Sequence, residues 1–205
     1  MKKLIALILA GGMLFLFASC GVYSDDETAE ILDELLTREA DLNGYIYGDS
    51  FETQEDPGED VNSPYQKYYT VHPDSKYVTL SALMNEVDAL IASASREEIY
   101  AYAFDGVSDG ESVSSPPRFA EDKDGRLQIN VADNMYAQMR TVYLLGSARA
   151  LRSTKTHIKA EITVYRFDRE GNPVEATKTV EIRQEDGVWK LLTQSMVIGV
   201  IEEKP

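Results

Sequence analysis

The chain has 205 residues, of which 20 are Lys or Arg and 35 are Asp or Glu, so its formal net charge is −15 at pH 7. A chain with this much negative charge is not suited to bind nucleic acid, or to bind anionic lipid headgroups through a basic patch. Its length is enough to bury a substantial core, and a single domain is the default at this size. The one cysteine, Cys20, excludes an intrachain disulfide.

The first twenty residues have the pattern of an export signal. Two lysines precede an apolar run over residues 4–17, which is shorter than the roughly 20 residues needed to span a bilayer. The small residues Ala18 and Ser19 before Cys20 resemble the lipobox, which is cut just before its cysteine. We therefore predict a lipoprotein signal peptide over residues 1–19 and a lipid on Cys20. An ordinary signal peptide with an incidental cysteine is the alternative.

This prediction divides the chain. Residues 20–27 become the lipidated cysteine and a short polar tether, and residues 28–205 form one domain outside the cytoplasm. Removal of Lys2 and Lys3 leaves 18 of the 20 basic residues against 35 acidic ones, which is a formal charge of −17. With Cys20 lipidated, the stability of the domain must come from core packing.

The N-terminal half is predicted to be helical. Residues 28–43 carry leucines at helical spacing, and an Asn-Gly pair supplies a stop. A second helix is predicted over residues 80–91, with Thr79 capping its first turn. Residues 95–98 have the spacing of a capping box, which predicts a short third helix.

Beyond a predicted loop over residues 105–118, the hydrophobic pattern changes from helical to alternating. The predicted strands cover residues 119–121, 126–130, 141–152, 157–167 and 174–184, and a last strand carries Trp189. The first two flank an Asp-Gly turn and form a hairpin, and the later four form an antiparallel meander. Only the helices are available to cover its buried face, so the predicted fold class is α+β, with N-terminal helices packed on a curved antiparallel sheet.

This organisation resembles the cystatin-like, or nuclear transport factor 2-like, cone. The resemblance rests on the helical first half, the meander and the final hairpin over residues 185–191. Residues 68–71, 80–91, 118–121 and 124–127 are further similar to the IseA-type lipoproteins and secreted proteins of Gram-positive bacteria. That family inhibits cell-wall DL-endopeptidases. The resemblance implies a non-enzymatic binding module whose partner is a cell-wall hydrolase.

An acidic, turn-rich segment over residues 50–63 with tyrosines on both sides is the candidate partner-binding surface. Its candidate residues are Glu52, Glu55, Asp56, Glu59, Asp60, Tyr65 and Tyr68. Tyrosine combines a rigid apolar ring with a polar tip and is favoured in protein interfaces. The alternatives are a solvated acidic loop, weak calcium binding, and tyrosines that pack in the core.

The sequence lacks the patterns that carry catalysis. His72 and His157 are isolated, and there is no zinc-protease, serine-hydrolase or phosphate-binding glycine motif. The Asp-Lys-Asp-Gly run before Arg126 fails as an EF-hand, because the first and twelfth ligand positions would hold Ala120 and Val131. We therefore predict no enzyme, no metal site and no cofactor.

A carrier or sensor of a small ligand is the alternative function. Cones of this type often enclose an apolar pocket, and the small residues Gly146, Ala148 and Ala150 could leave room under the helices. An enzyme is the third alternative, because this architecture hosts unrelated functions.

Overall fold

The computed structural model describes residues 22–48, 50–54, 68–108, 113–130, 141–168 and 170–205. Within these ranges the chain forms three α-helices and a strongly curled sheet that makes a half-barrel. The predicted α+β class is confirmed. The predicted signal peptide, Cys20 and most of the acidic segment lie outside the described residues.

The elements follow one another in chain order. The helices are α1 (Asp25–Ile46), α2 (Leu80–Leu90) and α3 (Glu97–Tyr100), and α3 lies between a 3-10 turn (Ser93–Ser95) and a π-helical turn (Ala101–Asp105). The strands are β1 (Tyr68–Thr70), β2 (Val107–Ser108), β3 (Val113–Ser115), β4 (Phe119–Glu121), β5 (Leu127–Asn130), β6 (Thr141–Leu144), β7 (Arg149–Ser153), β8 (His157–Phe167), β9 (Pro173–Glu185), β10 (Val188–Leu191) and β11 (Gly199–Ile201).

Helix α1 is longer than the sequence predicted at both ends. It begins at Asp25 because Ser24 and Glu27 form a capping box, in which Ser24 Oγ accepts from Glu27 N at 3.2 Å and Glu27 Oε2 accepts from Ser24 N at 2.8 Å. Gly44 does not end the helix. A Cβ atom at Gly44 would lie 2.5 Å from Ser50 Oγ, so this glycine instead permits the close approach of the segment that follows.

The other two helices differ in how well their starts were predicted. Helix α2 begins as expected, with Thr79 Oγ1 accepting from Ala82 N at 3.2 Å. A short third helix is present, but the predicted capping box at Ser95 is wrong. Ser95 Oγ donates to Leu192 O at 2.6 Å, and no side chain caps the first turn of α3.

The large sheet has the order β10-β9-β8-β6-β11, and β7 also pairs with β8. Strands β8 and β9 form a long antiparallel hairpin, as predicted. Alternate residues of β8 face the core and are fully buried, namely Ile158, Ala160, Ile162 and Val164. Leu32 and Leu36 of α1 are also fully buried in this core. Burial of each large aliphatic side chain contributes about 1.5–3 kcal/mol, so this layer holds the helix on the sheet.

The predicted strand over residues 141–152 is in fact two strands. Strands β6 and β7 pair with successive parts of β8, and a turn at Leu145 and Gly146 separates them. Gly146 has φ +69°, a conformation that glycine adopts without strain. The carboxylate of Asp33 in α1 receives bonds from Tyr143 Oη at 2.5 Å and from Gly146 N at 3.0 Å. The helix therefore holds the break in place.

Four strands were absent from the sequence prediction, namely β1, β2, β3 and β11. Strand β10 is not the last strand, because β11 follows it and pairs with β6 in parallel. The predicted loop over residues 105–118 contains the short hairpin β2–β3. The sheet is therefore mixed, and the predicted antiparallel meander describes its β7–β8–β9–β10 part, in which each strand pairs with the next.

A second, small sheet has the order β1-β5-β4. Its β4–β5 hairpin was predicted, and Gly125 supplies the left-handed turn residue with φ +76°. The carboxylate of Asp122 accepts from Asp124 N at 2.8 Å and from Arg126 N at 2.9 Å. These bonds, led by the one from Arg126, lower the pKa of Asp122 and close the turn.

Trp189 was predicted to be a core anchor, and the structure corrects this. Its side chain is only half-buried and packs against the edge of the core. The ring meets that of Tyr23 edge to face, with centroids 5.6 Å apart. Trp189 thus holds Tyr23, which precedes α1, against β10.

Candidate functional site

The structure describes two of the predicted partner-binding residues, Glu52 and Tyr68. The others lie outside the described residues: Glu55, Asp56, Glu59, Asp60 and Tyr65. Residue Glu52 is exposed, and Tyr68 is half-buried. These two residues mark the base of the candidate surface, where the acidic segment leaves and rejoins the described part of the chain.

The base of the acidic segment is formed by backbone pairing. Gln54 N donates to Thr70 O at 2.9 Å, and His72 N donates to Glu52 O at 2.7 Å. Thr53 and Val71 form an antiparallel bridge between these bonds. The chain therefore enters and leaves the acidic segment side by side, at the edge of the small sheet.

Tyr68 belongs partly to the internal packing. Its hydroxyl donates to Pro117 O at 2.5 Å, and burial raises its pKa. The polar tip is therefore already bonded within the domain, which leaves part of the ring for a partner.

Most of the nearby tyrosines that the structure describes support the core alternative. The ring of Tyr45 packs edge to face on Phe51, with centroids 4.8 Å apart, and on Tyr77 at 5.0 Å. Tyr47 and Tyr77 are buried. The tyrosines that cluster in this part of the sequence therefore include several that pack in the core.

A groove of about 670 Å³ lies near the C-terminal end of α1. It runs between α3 and the segment that follows β10. Its lining includes Tyr47, Glu97, Glu98, Tyr102, Gln194 and Met196. The rings of Tyr47 and Tyr102 are stacked, with centroids 5.3 Å apart and planes at 26°. An aromatic wall thus stands beside two carboxylates.

The tyrosine that forms the wall of this groove, Tyr47, has a raised pKa. Burial is the main cause of the raised pKa of Tyr47, and Tyr102, Glu39 and Glu98 raise it further. The last two act because negative charge nearby disfavours a phenolate. Among the described residues that line the groove, Glu97 and Glu98 are the charged ones.

Glu39 fixes the C-terminal segment that forms one side of the groove. It is 1% exposed and accepts from Ser195 N at 2.7 Å and from Met196 N at 3.3 Å. Its other oxygen contacts Ser195 Oγ, and Lys178 Nζ donates to Ser195 O. Burial raises the pKa of Glu39 to about 7, against the opposing effect of these bonds and of Lys178.

A second groove, of about 430 Å³, lies beside the break between β6 and β7. Gly146 lines it, together with Arg149, Glu161 and Lys204, and it opens to solvent. Of the small residues predicted to leave room for a ligand, Ala148 is fully buried. The described space near Gly146 is therefore a polar surface groove and not a pocket under the helices.

The two histidines make local contacts. Asp74 N donates to His72 Nδ1 at 3.3 Å, and His157 Nε2 lies 3.1 Å from Glu181 Oε2. Among the described residues no three His, Cys, Asp or Glu side chains are grouped so that they could hold a metal ion. Within the same ranges, no helix has the length and apolar character needed to cross a bilayer.

Sequence reasoning did not find the groove at Tyr47. Residues 95–98 were interpreted as a capping box, which assigns Glu98 to the helix start, whereas the structure places Glu97 and Glu98 on the groove rim. Tyr47 and Tyr102 are far apart in the chain, and no local pattern shows that their rings stack.

No protein-family model matches this chain, and no curated protein matches it.

Proposed function

We propose that the protein is a non-enzymatic binding module, held outside the cytoplasm by a lipid on Cys20, which inhibits a cell-wall DL-endopeptidase. The observation that best supports this is the paired base of the acidic segment, where Gln54 N donates to Thr70 O at 2.9 Å. Such a base fixes where the charged segment leaves the domain. We further propose that the half-barrel is a cystatin-like, or nuclear transport factor 2-like, cone, with α1 packed in the curl of its sheet.

Charge makes this partner class suitable. The formal charge of −17 on the chain without its predicted signal, from 18 basic and 35 acidic residues, and the acidic segment favour association with a basic or aromatic-lined protease groove. Exposed charges mainly raise the association rate and are screened by salt, with a Debye length of about 10 Å at 0.1 M. Inhibition through the acidic segment should therefore weaken as salt is added.

The test uses the lipid-free mature chain, residues 20–205 with Cys20→Ser, mixed with several cell-wall DL-endopeptidases. Loss of peptidoglycan turbidity reports hydrolysis, and we expect the chain to slow it for at least one enzyme. A lack of both inhibition and binding for every enzyme would move the carrier function to first place.

A charge-neutralised variant tests the surface itself. It replaces the acidic candidates by their amides: Glu52, Glu55, Asp56, Glu59 and Asp60. A matched control loses the same charge at exposed positions elsewhere: Glu30, Glu34, Glu170, Glu202 and Glu203. We expect the first variant to inhibit more weakly than the control, with a larger difference at low salt. Equal inhibition by the two variants would exclude the acidic segment as the docking surface.

The second candidate function, a small-ligand carrier, is favoured by the groove of about 430 Å³ beside Gly146. Its test is a thermal-shift screen of the same chain against small polar compounds. A Tm rise that Glu161→Gln, an exposed change in the groove lining, abolishes would support it.

A further inference from the structure

The groove at the C-terminal end of α1 has two carboxylates on its rim, Glu97 and Glu98. Glu97 and Glu98 are exposed, and among the described residues neither has an ion-pair partner. Carboxylates close to them are paired: Asp88 Oδ1 lies 2.7 Å from Arg96 Nη1, and Glu185 lies 3.9 Å from Arg96 Nη2. Arg96, the residue before Glu97, also donates to Ile91 O and Asp88 O at 2.9 Å, and Glu185 is paired more closely with Arg183, at 2.7 Å.

The groove lining contains no Lys, Arg or His side chain in the part of the chain that the structure describes. The charged side chains in this described lining are the exposed carboxylates of Glu97 and Glu98. A cleft lined by one sign of charge focuses the field and concentrates ligands of the opposite sign. Charge complementarity therefore selects a cationic occupant.

The aromatic wall favours a cation that also has a flat or apolar part. The ring of Tyr102 stacks on Tyr47 and is half-buried, so part of it borders the groove, and Met196 adds an adaptable apolar surface. Arginine has a planar guanidinium that stacks on aromatic faces, and its fork of donors matches carboxylates. Its carbon stem also packs on apolar surface. A small inorganic cation would use only the carboxylates.

We propose that this groove binds an arginine side chain of a protein partner, with the guanidinium at Glu97 and Glu98 and the stem against Tyr102. This deepens the proposed function and rests on it, because it names the chemistry of the segment that the partner inserts. An apolar segment would fit less well, because it would strip water from two carboxylates without compensation.

Glu97 and Glu98 also lie in the first turn of α3, where acidic residues favour the helix N-terminus. That role accounts for the residue types. It does not account for the stacked tyrosines beside them, or for a groove wall without basic residues.

The experiment uses two small probes and the lipid-free mature chain labelled with 15N. N-acetyl-arginine amide is compared with N-acetyl-citrulline amide, which has nearly the same shape and no charge. We expect arginine to shift the amide signals of Glu98, Tyr102 and the Gln194 side chain in a saturable way. The citrulline probe should bind about tenfold more weakly, the equivalent of one charge-assisted contact. Equal shifts with both probes, or none in the groove with arginine, would overturn the proposal.

Paired variants locate the site. Glu97→Gln with Glu98→Gln should weaken arginine binding by about tenfold, whereas Glu30→Gln with Glu34→Gln has the same charge change on an exposed helix face and should keep it. Tyr102→Leu removes the ring and should weaken both probes. Equal losses in the two glutamine pairs would show a general charge effect and contradict a site.

The outcomes separate this inference from the proposed function. A groove variant that inhibits a DL-endopeptidase as well as the parent chain overturns the arginine site while the inhibitor function stands. A chain that binds the arginine probe in the groove but no hydrolase leaves the site in place and excludes the hydrolase as its partner.

Discussion

Glu39 is the buried side chain whose protonation should dominate the stability of the domain near neutral pH. Its pKa is raised to about 7 from the ordinary 4.5 because it is buried. Below pH 4.5 both the folded and the unfolded chain hold the proton. Between 4.5 and about 7 only the folded chain holds it, so the free energy of unfolding falls as pH rises through this window.

The expected loss is roughly 3 kcal/mol, at about 1.4 kcal/mol for each pH unit. Glu39→Gln keeps the acceptor for Ser195 N and removes the titration, so its stability should change less over this range. Urea unfolding from pH 4.5 to 8 measures both chains. Glu34→Gln, an exposed change on the same helix, should keep the full pH dependence. A slope that survives in Glu39→Gln would contradict the assignment.

Trp189 is the only tryptophan of the chain, and its position at the core edge sets the cost of removing it. We expect Trp189→Ala to cost about 1–3 kcal/mol, which is below the 3–5 kcal/mol typical of fully buried large aromatics. Leu191→Ala, on the same strand and fully buried, should cost about 2–5 kcal/mol. Urea unfolding followed by circular dichroism compares them. A larger loss for Trp189→Ala than for Leu191→Ala would place the ring in the core.

Among single residues, the sequence predicted the roles of those that interact with near neighbours in the chain. The cap at Thr79 and the turn at Gly125 depend on neighbours within a few positions, so a short window contains the whole signal. The bonds of Glu39 to Ser195 and the stack of Tyr47 on Tyr102 join distant parts of the chain. They follow from the packing of whole elements, which no window shows.

At the scale of elements, the turn between β6 and β7 is where α1 is hydrogen-bonded to the sheet, through Asp33. Asp33→Ala removes the acceptor of both Tyr143 Oη and Gly146 N, and we expect a loss of about 1–3 kcal/mol. Tyr143→Phe keeps the bond from Gly146 N and should cost less. Glu34→Ala, exposed on the same helix, should stay within about 0.5 kcal/mol.

Urea unfolding measures these losses, and hydrogen exchange at the Gly146 amide should quicken in Asp33→Ala. An unchanged exchange rate at Gly146 would show that the turn holds its shape without the carboxylate.

Long one-sided alternation made the β8–β9 hairpin predictable. Alternation also concealed the break, because apolar and small residues at every second position from Val142 to Ala150 run through it in the sequence. The structure instead buries Tyr143 before the turn and Ala148 after it, five positions apart, so the turn changes which alternate residues face the core. Strand β11 has three residues, too few for a periodic signal, and its parallel pairing with β6 depends on the path of the chain between them.

At the scale of the whole molecule, the predicted lipid on Cys20 decides where the domain is found. We expect Cys20→Ser to release the protein from membranes or to leave an unprocessed precursor. Two acyl chains anchor far more strongly than one, since each buried CH2 contributes about 0.8 kcal/mol. Membrane fractionation with immunoblotting measures this, and a mature-sized Cys20→Ser protein in the membrane fraction would contradict the lipobox.

The length of helix α1 sets the distance between the N-terminal attachment of the domain and the groove at Tyr47. Its 22 residues span about 33 Å at about 1.5 Å per residue. Tyr23 holds the start of the helix at Ser153, with Tyr23 N donating to Ser153 Oγ at 2.9 Å, and Tyr47 at the other end lines the arginine groove. A chain tethered through Cys20 would therefore hold this groove up to a helix length away from its attachment point. Lengthening the tether would extend that reach without altering the groove.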